Sequence, residues 1–170
     1  MKLDLGCGEN RRPGFLGVDI APGPEVDIVL DLEKFPWMQF ADDSIEEVCS
    51  SHYVEHVPDL IAFMDEVWRV CKDGALVTIV APYYSSIRAT QDPTHKNFIS
   101  ENTWLYFSRT WRDGAKMGHY PIKSNFSVVK TIYFYSKGWK EKPEEEREFA
   151  RQHFVNVVDN LYTELVVIKQ

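Results

Sequence analysis

The stretch Leu3-Asp4-Leu5-Gly6-Cys7-Gly8 constrains the fold of this chain more than any other. Lys2 to Leu5 reads as a short strand, and Gly6 and Gly8 then let the backbone turn sharply with no Cβ in the way. The same glycines leave bare main chain that a ligand can approach closely. Asp4 is an acid inside an apolar strand, a costly placement unless it has a partner. The next strand-like run, Phe15 to Ile20, carries Asp19 near its tip. A strand, a glycine turn and an acid at the end of the following strand form the first half of a nucleoside site on a doubly wound α/β sheet.

The dinucleotide fingerprint asks for a third glycine three residues after the second. Arg11 stands there, which counts against a nicotinamide-dependent oxidoreductase. Between the first two strands lie only Glu9 to Gly14, too few residues for a crossover helix, and Pro13-Gly14 would stop one. Ala21-Pro22-Gly23-Pro24 is likewise a loop. The first three strands are therefore expected to lack their usual helices. Parallel sheets are normally covered on both faces, so a long later insertion or a second subunit is expected to cover what those helices leave bare.

Further along, Asp27 to Leu32 and Ile45 to Tyr53 read as strands. Asp59 is placed to cap a helix from about Leu60 to Lys72, with Leu60, Phe63, Met64, Val67, Trp68 and Cys71 at helical period. Asp73-Gly74 would end that helix, and Ala75 to Ala81 is a near-continuous apolar strand. Ser100 would cap a helix reaching about Trp111. Phe126 to Tyr135 has strong β character, Pro143 opens a helix to about Val158, and Thr163 to Lys169 alternates as a final strand. A chain of 170 residues with 44% apolar content fits one globular domain. No apolar run has the length of a membrane span, and the first residues begin a strand rather than a signal peptide. Cys7, Cys49 and Cys71 have no metal or redox spacing and are expected as reduced, buried thiols of a cytoplasmic protein. A net charge of −7 disfavours a nucleic-acid backbone as partner.

The run LDLGCG, GVDI, DIVLDLEKFPW, SSHYVEHV and DEVWRVCKDGALVTIVAP, in that order, resembles a class I S-adenosylmethionine-dependent methyltransferase of the type 11 small-molecule group. The resemblance spans roughly residues 2–95. It implies a Rossmann-like α/β fold with a seven-stranded, mostly parallel sheet, whose closing pair contains one antiparallel strand. It also implies S-adenosyl-L-methionine as cofactor, held by Asp4, Gly6, Cys7, Gly8, Asp19, Ile20, Asp31, Leu32 and His52. Asp19 would bond the ribose hydroxyls. Asp31 and the Leu32 N–H would meet the adenine, although Asp31 can equally cap a short turn. Phe35 or Trp37 could pack on the purine, or be core.

The segment after the fourth strand lacks the N/D-P-P-Y tetrapeptide of enzymes that methylate amide-type nitrogens, and Cys49 lies inside the strand, out of place for a C5-methylating nucleophile. His52 and His56 are four apart, a spacing metals use. No third ligand stands near them in sequence and a strand-to-helix junction intervenes, so no metal is expected. Residues 83–125 begin at the carboxyl end of a strand, where ligands bind in such sheets, and form the expected substrate-facing insertion. Within it, Asp92-Pro93-Thr94-His95 resembles a signature in the subgroup associated with sugar tailoring. His95 could take a proton from a hydroxyl, with Asp92 holding its tautomer or charge, beside His52. A turn with a surface histidine is the simpler alternative. Arg109, Arg112, Lys116, His119 and Lys123 could form a basic cluster facing an acidic substrate, or a solvated loop. The expected activity is methyl transfer to a hydroxyl of a small-molecule or sugar-containing acceptor, with a homodimer allowed. A non-catalytic, cofactor-binding partner subunit is the alternative.

Overall fold

The structure is a computed structural model and describes residues 1–169. Seven strands form one sheet: β1 (Lys2–Leu5), β2 (Leu16–Asp19), β3 (Ile28–Val29), β4 (Ile45–Ser51), β5 (Cys71–Pro82), β6 (Phe126–Tyr135) and β7 (Val158–Val167). Their order across the sheet is β3-β2-β1-β4-β5-β7-β6. The first five pair in parallel, and β7 runs antiparallel between β5 and β6. This is the Rossmann-like arrangement expected, with the order reversing at β1 and β4.

Residue parity divides the sheet. Leu3, Val48, Val77 and Leu165 lie in register across four strands, as do Ala81 and Leu161, and all are buried. The opposite parity reads Asp4, Cys49, Thr78, Glu164 and Lys130, with Tyr162 and Ile132 beside them. Side chains alternate faces along a strand, so one face is apolar and the other largely polar. Among the described residues, four helices accompany the sheet: α1 (Leu60–Val70), α2 (Ile87–Thr90), α3 (Arg109–Gly114) and α4 (Glu144–His153). α1 and α4, with a 3-10 turn at Thr103–Phe107, put Phe63, Met64, Val67, Ala150, Trp104 and Phe107 into the core.

No helix joins β1 to β2 or β2 to β3 among the described residues, as expected, and none joins β3 to β4. The insertion packs into the core through its aromatic anchors. Its anchors Trp104 and Phe107 are apolar and pack where the apolar parity lies. The other face carries polar side chains, of which Asp4 and Thr78 are buried. Lys2 pairs with Glu47 at 2.5 Å and Lys130 with Glu164 at 3.4 Å, while the 9–14 loop lies over β1 and donates the Arg12 N–H to Asp4 at 2.7 Å.

Polar pins hold the loops that replace helices. Arg11 bonds Asp27 at 2.6 Å and Glu25 at 3.2 Å, and Asp27 also accepts the Gly17 N–H at 2.8 Å. Gly17 is required there, because a Cβ would overlap the Glu25 carbonyl. Buried Glu66 on α1 accepts the Trp37 N–H at 2.6 Å and both Nε and an amino group of Arg69. Arg69 also donates to the carbonyls of Trp37 and Phe40 and pairs with Asp42. Trp37 is fully buried, with its indole N–H on the Leu32 carbonyl, so it is core.

Several boundaries differ from expectation. Asp59 does cap α1, accepting the Ala62 N–H at 2.9 Å, but the helix stops at Val70. Cys71 already pairs with Ile45, so Asp73-Gly74 forms an irregular start to β5 rather than the helix end. The helix expected from Ser100 to Trp111 is split. Ser108 adopts an extended backbone, ends the 3-10 turn and caps α3 (Arg109–Gly114). The third strand shrinks to two residues, α4 stops at His153, and β7 starts five residues earlier than the alternation suggested. Arg112 does not join a basic cluster. It is buried and donates to the carbonyls of Tyr106, Ile122 and Ser124, a clip for the insertion. No helix is long and apolar enough to cross a membrane among the described residues.

Two outcomes follow from these contacts. Glu66→Ala removes the acceptor for the Trp37 N–H and the Arg69 guanidinium, and chemical denaturation should show a loss of about 3 kcal/mol. All three thiols are free and buried. Burial pushes Cys7 up to about 11 and Cys49 and Cys71 up to about 12. Almost no thiolate then exists near pH 8, so a thiol reagent should label the folded protein far more slowly than the unfolded chain.

Candidate functional site

The carboxyl ends of β1, β2 and β3 surround a cleft of about 170 Å³ lined by Gly6, Asp19, Ile20, Leu30, Asp31, Leu32, Glu33 and Tyr53. Its floor is the turn after Leu5. Gly6 has φ +70° and donates its N–H to the Val18 carbonyl at 2.9 Å. A Cβ on Gly6 would collide with the Tyr53 ring, so the glycine meets two demands at once, a left-handed backbone and close approach. The bend is thus partly occupied by a side chain of the protein, and the cleft opens beside it.

Asp19 accepts the Gly8 N–H at 2.9 Å and the Ala21 N–H at 3.1 Å, which fixes its carboxylate at the rim. Asp31 accepts the Glu33 N–H at 3.1 Å and pairs with Lys34. These bonds hold its carboxyl below the usual range. It therefore caps a turn and also lines the cleft. Ile20 and Leu32 line the cleft as well. Three other expected residues sit elsewhere. Asp4 lies on the polar face of the sheet, the Cys7 thiol turns to the Glu25 carbonyl at 3.6 Å, and Gly8 contributes only its bond to Asp19.

A second cleft of about 250 Å³ lies across the segment that follows β4. It is lined by His52, Glu55, His56, Pro82, Arg88, Gln91, Asp92 and His95. His52 and Tyr53 are adjacent in the chain and face the two clefts separately, so this segment is the wall between them. His52 has φ +56°, a conformation a non-glycine residue keeps only when its surroundings impose it. Its N–H is held by the Val80 carbonyl at 2.8 Å. Its Nδ1 bonds Glu55 Oε1 at 3.3 Å.

The DPTH segment docks on this wall. Lys96 and Asn97 donate backbone N–H groups to the Glu55 carbonyl, and the Asn97 side chain donates to the carbonyls of Val54 and Val57. His95 is nearly buried, with Nδ1 on the Ala89 carbonyl at 3.0 Å. That carbonyl, not Asp92, sets its tautomer. Asp92 Oδ1 is occupied by the Thr94 N–H and hydroxyl, and its Oδ2 stands 3.8 Å from His95 Nε2. Asp92 is left as a charge beside the ring. His56 Nδ1 meets the Thr94 hydroxyl at 2.9 Å.

Sequence reading missed Tyr53, Leu30, Glu33, Glu55 and Pro82 as lining residues. Only Tyr53 had a local signal, being an aromatic directly after a strand that ends at the sheet's order reversal. The largest groove, about 500 Å³, runs along α1 between Phe35, Trp68 and Lys123. Its carboxylates are already committed: Asp65 to the N–H groups of Lys123 and Ser124, and Glu66 to Arg69.

Residues 3–79 match the family model described as a methyltransferase domain. Among solved structures, an S-adenosylmethionine-dependent methyltransferase from Archaeoglobus fulgidus superposes with a TM-score of 0.69 at 19% identity, covering 97% of this chain and 85% of that one. One from Mesorhizobium loti gives 0.58 at 15% identity, with 97% and 89% covered. The cyclase SpnF gives 0.60 at 10% identity, with 98% and 74% covered, so the fold alone does not fix a reaction. No curated protein matches significantly.

Gly6→Ala tests the floor of the first cleft. The left-handed backbone alone should cost about 1–2 kcal/mol, and displacement of Tyr53 should add to the fall in thermal midpoint. A variant as stable as the wild type would show that the turn tolerates a side chain.

Proposed function

We propose that the chain is a class I S-adenosylmethionine-dependent methyltransferase, a reading supported by its fold and by the match over residues 3–79, and that it methylates a hydroxyl of a small-molecule or sugar-containing acceptor. The observation that carries this is the pairing of two clefts across one wall: a carboxylate-rimmed cleft at the strand tips and a histidine-lined cleft beside it.

The first cleft suits the donor. Asp19 at the tip of β2 can accept the ribose hydroxyls, Asp31 can accept an exocyclic amine, and the Gly6 turn admits a ligand to bare backbone. Bound S-adenosylmethionine supplies an activated methyl group whose transfer leaves a neutral thioether. The protein's own contribution is then mainly to hold the acceptor in line with that methyl group. His52 stands at the wall, next to both compartments.

A hydroxyl acceptor must lose its proton as its oxygen forms the new bond to carbon. His95 keeps its Nδ1–H on the Ala89 carbonyl, so its Nε2 retains the lone pair that this step needs. Asp92 beside the ring favours the positive charge that results. The insertion closes one side of the acceptor cleft and offers Arg88, Gln91 and Asp92 as polar contacts, which suits a hydroxyl-rich molecule. A net charge of −7 argues against a nucleic-acid acceptor.

Titration calorimetry with S-adenosylhomocysteine, followed by a methyl-transfer assay over hydroxyl acceptors, tests the proposal. Asp19→Ala should weaken binding of the donor product by about 10-fold or more, the worth of a charge-assisted hydrogen bond. His95→Ala should slow turnover about 100-fold or more while leaving that binding near the wild-type value. No binding at millimolar ligand would favour a non-catalytic subunit. Unchanged affinity in Asp19→Ala would remove the ribose assignment.

A further inference from the structure

We propose that Glu55, His56 and His95 form a binding site for a divalent transition cation of the Zn²⁺ class, with a coordination position left for the acceptor's oxygen. The two histidines that the sequence spacing brought together, His52 and His56, are not the pair. His95, distant in the chain, supplies the second imidazole.

Proximity comes first. One ligand-type atom from each of Glu55, His56 and His95 lies within 4.8 Å of the other two. The rings of His56 and His95 meet edge to face, with centroids 4.7 Å apart. Metal–ligand bonds of about 2.0–2.2 Å place ligand atoms within about 4 Å of each other, so side-chain adjustments of under about 1 Å would close the site.

Hydrogen bonding points the same way. The Thr94 hydroxyl donates to Asp92 at 2.7 Å and therefore accepts from His56 Nδ1. His95 Nδ1 donates to the Ala89 carbonyl. Both Nδ1 protons are thus committed, and each Nε2 carries a lone pair. Glu55 is 1% exposed, its Oε1 is engaged by His52, and its Oε2 is buried with no hydrogen-bond partner. An orphaned carboxylate oxygen is costly in a native interior. Three lone-pair groups gathered around a buried carboxylate repel unless a cation sits among them.

The surrounding bonds are those that metal sites use. Ligating histidines hold the other ring nitrogen to a carbonyl or to an oxygen tied to a carboxylate, which fixes tautomer and ring angle. Ala89 does this for His95, and Thr94 with Asp92 does it for His56. The charges facing the corner are the carboxylates of Glu55 and Asp92 against the single guanidinium of Arg88, a balance that leaves room for a cation. Two imidazoles and one carboxylate make the donor set of open, catalytic zinc sites.

The proposal deepens the acceptor reading above, resting on it only for the consequence. With the cation bound, the acceptor hydroxyl would coordinate it and release its proton to water, and its oxygen would then form the C–O bond as the C–S bond of the donor breaks. His95 would act on the acceptor through the cation rather than by taking the proton itself.

The test needs neither donor nor acceptor. The full chain is stripped with a chelator, dialysed, and titrated with Zn²⁺ by calorimetry and with Co²⁺ by visible absorption. One ion per chain and the d–d bands of a nitrogen–oxygen site of low coordination number are expected. Glu55→Gln and the His56→Gln/His95→Gln double variant should lose both signals. Thr94→Val keeps every ligand and should weaken binding about 10–100-fold, with circular dichroism verifying the fold of each variant. Absence of stoichiometric binding by the wild type would overturn the site. So would unchanged binding in the double variant, or in Thr94→Val if that variant folds as the wild type does. Binding would replace direct proton transfer to His95, and its absence would leave that role standing; methyl transfer itself is read separately, from donor binding and turnover.

Discussion

Opposite chemistry on the two faces of one sheet holds this chain together. Leu3, Val48, Val77 and Leu165 sit in register across β1, β4, β5 and β7 and are almost fully buried, while their neighbours Asp4, Cys49, Thr78 and Glu164 face the other way. A slip of one residue in any strand would exchange these sets. It would put an acid and a threonine under α1 and move leucine and valine to the polar face. The polar parity therefore fixes the register as firmly as the apolar parity does. It also lets the sheet go without helices between its first four strands, which uninterrupted apolar strands could not do.

Dispensing with three crossover helices shifts work onto loops. Helices satisfy their own backbone, whereas loops need specific partners. Arg11 with Asp27 and Glu25 holds the approach to β3, and the Glu66–Arg69 pair takes the N–H and carbonyl of Trp37 and the carbonyl of Phe40. Arg11 stands where a dinucleotide-binding loop would carry glycine. Its engagement shows that the position has been given to loop anchoring.

Sequence alone conveyed the strands whose two faces differ in chemistry and the loops too short or too rich in proline and glycine for helices. β6 was legible to the residue because Phe126 to Tyr135 is dense in β-branched and aromatic side chains. Boundaries failed where one residue serves two elements. Cys71 fits the helical period but is drawn into β5 by pairing with Ile45. Ser108 lies mid-pattern yet caps a new helix. In the candidate site, the rim carboxylates Asp19 and Asp31 were visible as acids ending strands. Asp4 shares a face with Asp19, since it pairs with Gly17, but it lies inside β1 and not at its tip, so it meets the Arg12 N–H of the 9–14 loop and not the cleft. The contacts of Tyr53 with Gly6 and of His56 with His95 depend on chain crossings that no local pattern encodes.

The segment from His52 to Val57 is where these constraints converge. Its first residue is held in a left-handed conformation by the Val80 carbonyl, and its far end is tied by Asn97 to the carbonyls of Val54 and Val57. Glu55 in the middle takes two backbone N–H groups from the insertion through its own carbonyl. A wall pinned at both ends and at its centre cannot swing independently of the sheet or of the insertion. Tyr53 on one side and His52 on the other therefore keep a fixed separation, as do the two clefts they line. In-line transfer between two bound molecules depends on that separation more than on any single reactive group. A strained φ at His52 is intelligible on these terms: the distortion turns adjacent residues toward opposite compartments within one peptide unit, which an extended strand continuing past Ser51 would also do, but without the sharp turn that brings Glu55 and His56 back beneath His95.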